Sequence, residues 1–407
     1  MTQIGPIRFA GLLVAPILGS GIVLLPPIIS SLLGEWSVVA WVATVLYGLA
    51  LALVFTRLGI QIPNAGGIAQ AAKTILGERW ATVASLSIVC AAMIGPVVVM
   101  RTGAEFIVQV MPGFDLHYVT LGLLVIGHAI VAMGLRVLSG LSLFLSISTV
   151  IVLVVGASLT LGAPQSPPPV ANATPGVPVF AQAFLLLFWS VIGWDIILHF
   201  SGDLKGRKKT MILGIGLGSI VVSVVMLLIA RAVQIIARSR GGDVSNASYD
   251  ASLIMQLVDF GGPSAAIVLA ALVVALTLST FLMVVGAVTR LLAWLIQEQS
   301  KNKGGRSFPV QIVIVIAHCV TWWVLAHTDV TLAAAIGIAN VLFITNIVVG
   351  LAACWYGFTE FWFRLVTAFC GIVCFCVAFV AQPFLSLAVC AICALYLKLG
   401  IIKSASR

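Results

Sequence analysis

APILGSGIVLLPP, residues 15–27, sets two glycines around a serine, and then two prolines, inside a run otherwise apolar enough to form one helix. Glycine and proline are the poorest helix formers, so the stretch argues for a helix interrupted near Gly19–Gly21. What such an interruption means depends on the solvent. In hydrocarbon an unwound backbone survives only where it is buried in protein or lines a cavity, because lipid cannot bond its N–H and C=O groups. Composition decides the setting: of 407 residues, 61% are hydrophobic and 8% charged, with a mean hydropathy of +1.21. A soluble chain carries about a quarter of its residues as charge. The chain therefore reads as a membrane protein, and the break as a built feature. For GSG alone, a small-residue cluster that lets two helices approach is the competing reading.

Working outward, segments long enough to cross about 30 Å of hydrocarbon fall at residues 8–32, 36–60, 80–111, 116–135, 140–162, 178–200, 210–237, 264–296, 308–327, 330–356, 361–381 and 383–402. That is twelve spans. Residues 1–7 hold no basic n-region or cleavage site, so the first segment reads as a retained span. With the N-terminus inside, Arg101, Arg231, Arg238 and Arg240 are the basic residues that fall outside; the rest of the 21 fall inside. This asymmetry is what the positive-inside rule expects, and it places both termini in the cytoplasm. The net charge of +9 thus follows topology, and without a long basic run nucleic acid is not an expected partner. The eight cysteines lie in apolar spans as small hydrophobes. CAIC at 390–393 lacks a second pair, His117, His128, His318 and His327 show no metal spacing, and no metal or cofactor is expected.

The sixth span holds the second anomaly. LFWSVIGWDIILHFSGD, residues 187–203, sets Gly193 beside Trp194 and then an acid, Asp195, deep in apolar sequence. A carboxylate there costs about 2.5–3.5 kcal/mol on insertion scales, so it should face a cavity or a partner. Span 6 is span 1 displaced by five, and paired interruptions at corresponding places point to a midplane site between inverted repeats. Broken helix ends expose N–H groups on one side and carbonyls on the other, which suits a ligand with both carboxylate and ammonium. N–H groups around Ser20, Gly21 and Ile22 are the expected carboxylate site, and carbonyls of span 1 and of Trp189–Gly193 the ammonium site.

GSGI in span 1, PNAGG at 63–67, and FWSVIGWD followed by HFSGDLKGRKK in span 6 and its exit resemble the amino acid/polyamine/organocation transporters, and most of all the bacterial exporters of methionine and branched-chain amino acids. The resemblance implies an all-α membrane fold of 12 transmembrane helices. It is a LeuT-like 5+5 inverted repeat with discontinuous helices 1 and 6, divided as residues 1–162, 163–356 and 357–407. It implies that Gly19, Ser20, Gly21 and Ile22, with Trp189, Ser190, Ile192, Gly193 and Trp194, hold the substrate. Trp189 matches an aromatic gate. Asp195 stands where the family has glutamate, a place the resemblance associates with gating or proton relay; His199, four residues on and on the same face, reads either as its partner there or as a packed histidine near the span's end. The function implied is secondary active transport of neutral, apolar amino acids across the cytoplasmic membrane, by export or exchange. Carriers of polyamines or other amines, or a non-transporting sensor, are the alternatives.

The sequence departs from the family in two places. Arg57 replaces an acid common in relatives, and span 5 has no mid-depth lysine. Thr277, Ser279 and Thr280 in span 8 are candidates for an ion site, although hydroxyls bonded to their own backbone explain them more simply, and a proton is preferred to sodium. If spans 3, 6, 8 and 10 supply the side-chain pocket, Met93, Ile94, Val97, Trp194, Phe281 and Ile338 make it apolar, with Asn340 a polar exception. Arg101 and Glu105, four apart, read as a structural ion pair. A membrane enzyme is disfavoured because no converging catalytic groups are present, and a channel because no filter loop or acidic ring is. Apolar faces on spans 11 and 12 suit either lipid or a second copy, so the chain is a monomer or a homodimer.

Overall fold

The computed structural model describes residues 5–63, 66–133, 135–162, 174–195, 198, 201–202, 204–239, 251–299 and 308–405. The regular elements among them are helices. Span 1 is split into α1 (Pro6–Leu18) and α2 (Gly21–Leu33), and α3 (Ser37–Gln61) returns after one 3-10 turn, Gly34–Trp36. Helix α4 (Gly67–Leu76) is followed by α5 (Glu78–Val110), α6 (Leu116–Met133) and α7 (Leu135–Gly162). The second half begins with α8 (Val177–Leu187), which tightens into a 3-10 turn at Phe188–Ser190. It continues through α9 (Arg207–Ser239), α10 (Ala251–Met255), α11 (Gly262–Gln299), α12 (Phe308–His327) and α13 (Leu332–Gly357). Helices α14 (Phe361–Ala381) and α15 (Pro383–Ala405) complete the chain. Each of the twelve expected spans has a helix or a broken helix at its place.

Among the described residues, seven stretches are long and apolar enough to cross a membrane, the first of them, Gly21–Gln61, running through both α2 and α3. Large apolar side chains on the outer faces, such as Leu46, Leu53, Ile220, Val224, Ile316 and Phe375, stay exposed because their solvent is lipid. The chain is a multi-pass helical membrane protein. Its second break starts earlier than the sequence suggested: α8 ends at Leu187, and residues 191–195 form turns before Gly193 can act alone. Pro26 and Pro27, read as breakers, sit buried inside α2, which continues through them.

Packing among these helices comes in reciprocal pairs. Helix α1 packs on α9, and α8 on α3; α5 packs on α13, and α11 on α7; α5 on α12, and α11 on α6. Exchanging each span for the one five places away turns the first member of each pair into the second. Even the helices too short to span obey this exchange. Helix α4 lies on α5 and α13, while the 3-10 segment Gln256–Gly261 after α10 lies on α11 and α7. The buried centre is formed where α5, α11 and α13 meet the two breaks.

Candidate functional site

The two breaks seat on each other. Gly19 has φ +28° and Gly193 φ +128°, conformations that side-chain-bearing residues rarely adopt. A Cβ on Gly193 would lie 2.6 Å from Ile17 Cγ1, so the span 6 break packs directly on the last turn of α1. A Cβ on Gly21 would lie 3.4 Å from Trp189 Cδ1 and 3.6 Å from Ser190 Cα, so α2 starts against the span 6 turn. The Ser20 carbonyl accepts the N–H groups of Val23 (3.2 Å) and Leu24 (2.9 Å). The N–H groups before them belong to the helix's first turn, where no intrahelical acceptor exists. A cross-bond ties the breaks together: Trp189 Nε1–H donates to Ser20 Oγ at 3.1 Å, both residues being buried.

Around this junction is a cavity of about 50 Å³, lined by Ser20, Trp189, Ile192 and Thr280, with the rest of its wall apolar. The α5 wall is Ile88, Ala91, Ala92, Gly95, Pro96 and Val99; α11 adds Phe281 and Val284, and α13 adds Ala339 and Phe343. The sequence had chosen the wrong row of α5. Met93, Ile94 and Val97 lie off the cavity, and the small residues of the neighbouring row admit the Trp189 ring, which packs over Gly95 (3.3 Å to a Cβ placed there). Trp194 points into a separate small cavity with Thr44, Gly48 and Met226, between α3 and α9. Ile338 is exposed. Asn340, expected as a polar lining group, instead donates to the carbonyls of Leu185 (2.7 Å) and Leu186 (3.3 Å), adding a second donor to acceptors that the Phe188 N–H shares at the end of α8.

Asp195 is 2% exposed and borders a second cavity, about 30 Å³, with Ile88, Ile192, Val284, Ala287, Val288 and Leu291. Ile88, Ile192 and Val284 line both cavities, so they form an apolar waist between the Ser20–Trp189 space and the acid. The carboxylate accepts from the Gly193 N–H (3.3 Å) and from Asn346 Nδ2 on α13 (3.4 Å). Sequence reasoning missed Asn346, and nothing local could have found it, because the two residues are 151 apart. His199, the expected partner of Asp195, lies outside the described residues. Thr277 and Thr280 bond the carbonyls of Val274 and Leu276 on their own helix, both at 3.0 Å. Thr277 faces α5 at Gly103 and Thr280 faces the cavity; Ser279 is buried.

Ion pairs close the two ends of the bundle. Arg57 pairs with Glu360, joining α3 to the start of α14 on the side where α1 begins. On the opposite side Arg238 pairs with Glu35, and Gln234 Nε2 donates to the carbonyls of Gly34 and Glu35, both at 3.0 Å. Arg101 and Glu105 approach to 3.7 Å, and Arg101 also bonds the Leu325 carbonyl at 3.0 Å.

A fold of this kind, with a cavity at two crossed helix breaks, defines a carrier-type membrane protein. Residues 4–391 match the family described as amino acid permease, and the chain belongs to that family. It is similar to the vacuolar cationic amino acid transporter 8 of Arabidopsis thaliana, 24% identical over 48% of this chain and 36% of that protein. It is also similar to the uncharacterized amino acid permease YecA of Bacillus subtilis (strain 168), 23% identical over 52% of this chain and 51% of that protein. The matches thus span a third to a half of these relatives' own length. Family membership and the apolar helices together make the chain a multi-pass membrane protein of the amino acid permease family.

Proposed function

We propose that the protein is a secondary carrier of neutral, apolar amino acids of the methionine and branched-chain type, working by alternating access in export or exchange and coupled to protons. The observation that carries this reading is the asymmetry of the junction cavity: backbone and hydroxyl groups at Ser20 on one side, apolar wall on the other. The first turn of α2 takes the substrate carboxylate through the N–H groups of Ser20, Gly21 and Ile22, with Gly19 supplying the turn. Carbonyls of Trp189, Ser190, Ile192 and Gly193 take the ammonium, and the cavity wall takes the side chain. Trp194, facing α3 and α9, acts by holding the turn and not by touching the substrate. Room of about 50 Å³ suffices for a few waters, so an amino acid enters only as the walls move apart, which suits a gated carrier.

The reciprocal packing supports two exchanged halves, residues 1–162 and 163–356, rocking about this site, with residues 357–407 outside the repeat. The excess of basic residues in the loops on the N-terminal side supports a topology with both termini in the cytoplasm. Trp189 is the gate nearest the substrate. Asp195 lies behind the apolar waist as the proton-linked acid, with His199 as its expected helper. The hydroxyls of Thr277, Ser279 and Thr280 are the fallback for a sodium ion, and the self-bonding of two of them favours the proton. The same carrier works as a monomer or a homodimer.

Counterflow in proteoliposomes tests this reading. Vesicles loaded with unlabelled methionine, leucine or arginine are followed for entry of the same labelled amino acid with no ion gradient. Accumulation with methionine and leucine but not arginine is expected. Accumulation with arginine alone replaces the neutral substrate by a cationic one, with Asp195 as its counter-charge. Asp195→Asn keeps an acceptor for the Gly193 N–H, so the expected result is a folded carrier whose flux no longer varies between pH 5 and 8. An unchanged profile removes Asp195 from proton coupling.

A further inference from the structure

The histidines that look scattered in sequence include two that meet at mid-membrane. His128 on α6 and His318 on α12 lie 190 positions apart, yet His128 Nε2 and His318 Nδ1 are 3.0 Å from each other. His318 is fully buried and its Nε2 is 2.9 Å from the Ala92 carbonyl on α5. The reason that carbonyl is available lies four residues on. Pro96, inside α5, has no N–H, so Ala92 O loses its helical donor. The hydroxyl of Thr321, one turn beyond His318, bonds the next carbonyl, Met93 O, at 3.0 Å. Helix α12 thus fills the gap that Pro96 leaves.

The bonding order fixes the tautomers. A carbonyl only accepts, so His318 Nε2 carries hydrogen and, in the neutral ring, Nδ1 is bare. His128 Nε2–H therefore donates to His318 Nδ1, and His128 Nδ1 is the ring nitrogen left to take a proton. Both rings contact Phe281, with centroids 5.1 Å from His128 and 5.7 Å from His318. Phe281, Ala92 and Pro96 all line the junction cavity. A charge gained by the pair is felt at the cavity wall through an aromatic ring and a carbonyl, without passing through the Asp195 cavity.

We propose that the His128–His318 pair is a one-proton binding site that couples proton uptake to the wall of the amino acid cavity at Ala92, Pro96 and Phe281. This deepens the proton-coupled reading given above and rests on it. A buried polar pair in a membrane bundle is costly, and two interacting imidazoles 3.0 Å apart accept one proton more readily than two, which sets the stoichiometry. The surroundings leave the pair as the local titrating unit. On α5, Arg101 and Glu105 are paired with each other, about 14 and about 20 Å along the axis from Ala92, and Cys90 is the nearest thiol in sequence. His117 and Tyr118 on α6 and His327 on α12 lie toward the far ends of their helices, with Cys319 beside His318. Helix α11 carries no ionisable residue between Gly262 and Thr289, nor does α7 between Ile147 and Gly162.

Two measurements on the full chain test the proposal. The first is nitrogen NMR of histidine-labelled protein in lipid nanodiscs from pH 8 to pH 5. At pH 8 the expected result is two coupled rings, each with hydrogen on Nε2, that take up one proton together as the pH falls; in His128→Gln the His128 signals and the coupling vanish while the His318 ring remains. The second is the ratio of pH-gradient-driven methionine uptake to methionine counterflow in proteoliposomes. Glutamine keeps an amide donor at either site, and the expected ratio falls at least about tenfold in both His128→Gln and His318→Gln. A loss of folded protein lowers both fluxes together and leaves the resonance titration to decide. Pair resonances that do not titrate, or a ratio unchanged in both variants, overturn the proposal. Wild-type protein that exchanges methionine but ignores a pH gradient overturns it as well. Failure of counterflow with every amino acid instead sinks the substrate reading, and the titration still judges the pair.

Discussion

The two helix breaks do the same topological job by different means. The span 1 break is short: Gly19 turns the chain, and by Val23 and Leu24 the new helix is bonding to Ser20. It offers backbone and one hydroxyl, with no ionisable group. The span 6 break is longer, running from the 3-10 turn at Phe188 through the turns to Asp195, and it carries two indoles and a carboxylate. One half of the site is therefore a fixed set of dipoles, cheap to keep in lipid because a helix start needs no side chain. The other half holds bulky and ionisable side chains, and needs outside support from Asn340, Asn346 and the last turn of α1. Similar breaks can thus present different chemistry to one cavity.

Gly193→Ala breaks this comparison most severely. Its φ of +128° and the 2.6 Å approach to Ile17 combine strain with overpacking, on the order of 3 kcal/mol together. A lower melting temperature and loss of counterflow by about a hundredfold are expected; a variant that melts and exchanges like the parent means the breaks are not seated on each other. Next comes Val284→Phe, which adds bulk at the waist between the two cavities. Flux and methionine binding by calorimetry should both fall about tenfold, because the same side chain lines the substrate cavity and the waist. Binding that is unchanged while flux falls means that the waist obstructs passage only.

Ser20→Ala leaves the Trp189 N–H without its acceptor, a cost of about 1–3 kcal/mol, part of which relaxation recovers, so affinity should weaken about fivefold. In a Trp189→Phe background the same change should add little, and full additivity in the double-mutant cycle would show that the cross-bond does not matter. The smallest effect belongs to Gly21→Ala. Its Cβ would meet Trp189 and Ser190 at ordinary contact distance and its backbone is already helical, so flux within about twofold of the parent is expected. A large loss there instead means the two breaks slide past each other during turnover and need the clearance.

Much of the architecture was legible because lipid leaves a chain few options. Apolar runs of spanning length and the glycines inside two of them can be read residue by residue, and Gly19, Ser20, Trp189 and Asp195 stand at breaks or cavities in the structure. The row of α5 that faces the cavity was not legible. An all-round apolar helix has no hydrophobic stripe to show its phase, so Met93 and Val97 read as well as Ala92 and Gly95. Pro96 beside Gly95 was the available clue, since a proline inside a 33-residue helix marks a place where carbonyls are freed.

The sequence by itself determined that the chain crosses the membrane repeatedly, which two spans are interrupted, and which buried acid needs an explanation, because each is a local conflict between residue type and hydrocarbon. Tertiary structure alone decided the partners: Asp195 with Asn346, Asn340 with the end of α8, and His128 with His318 and the Ala92 carbonyl. Those contacts join helices 151 to 226 positions apart. Between such distant positions only packing sets the distance, and packing leaves no periodic trace in one chain.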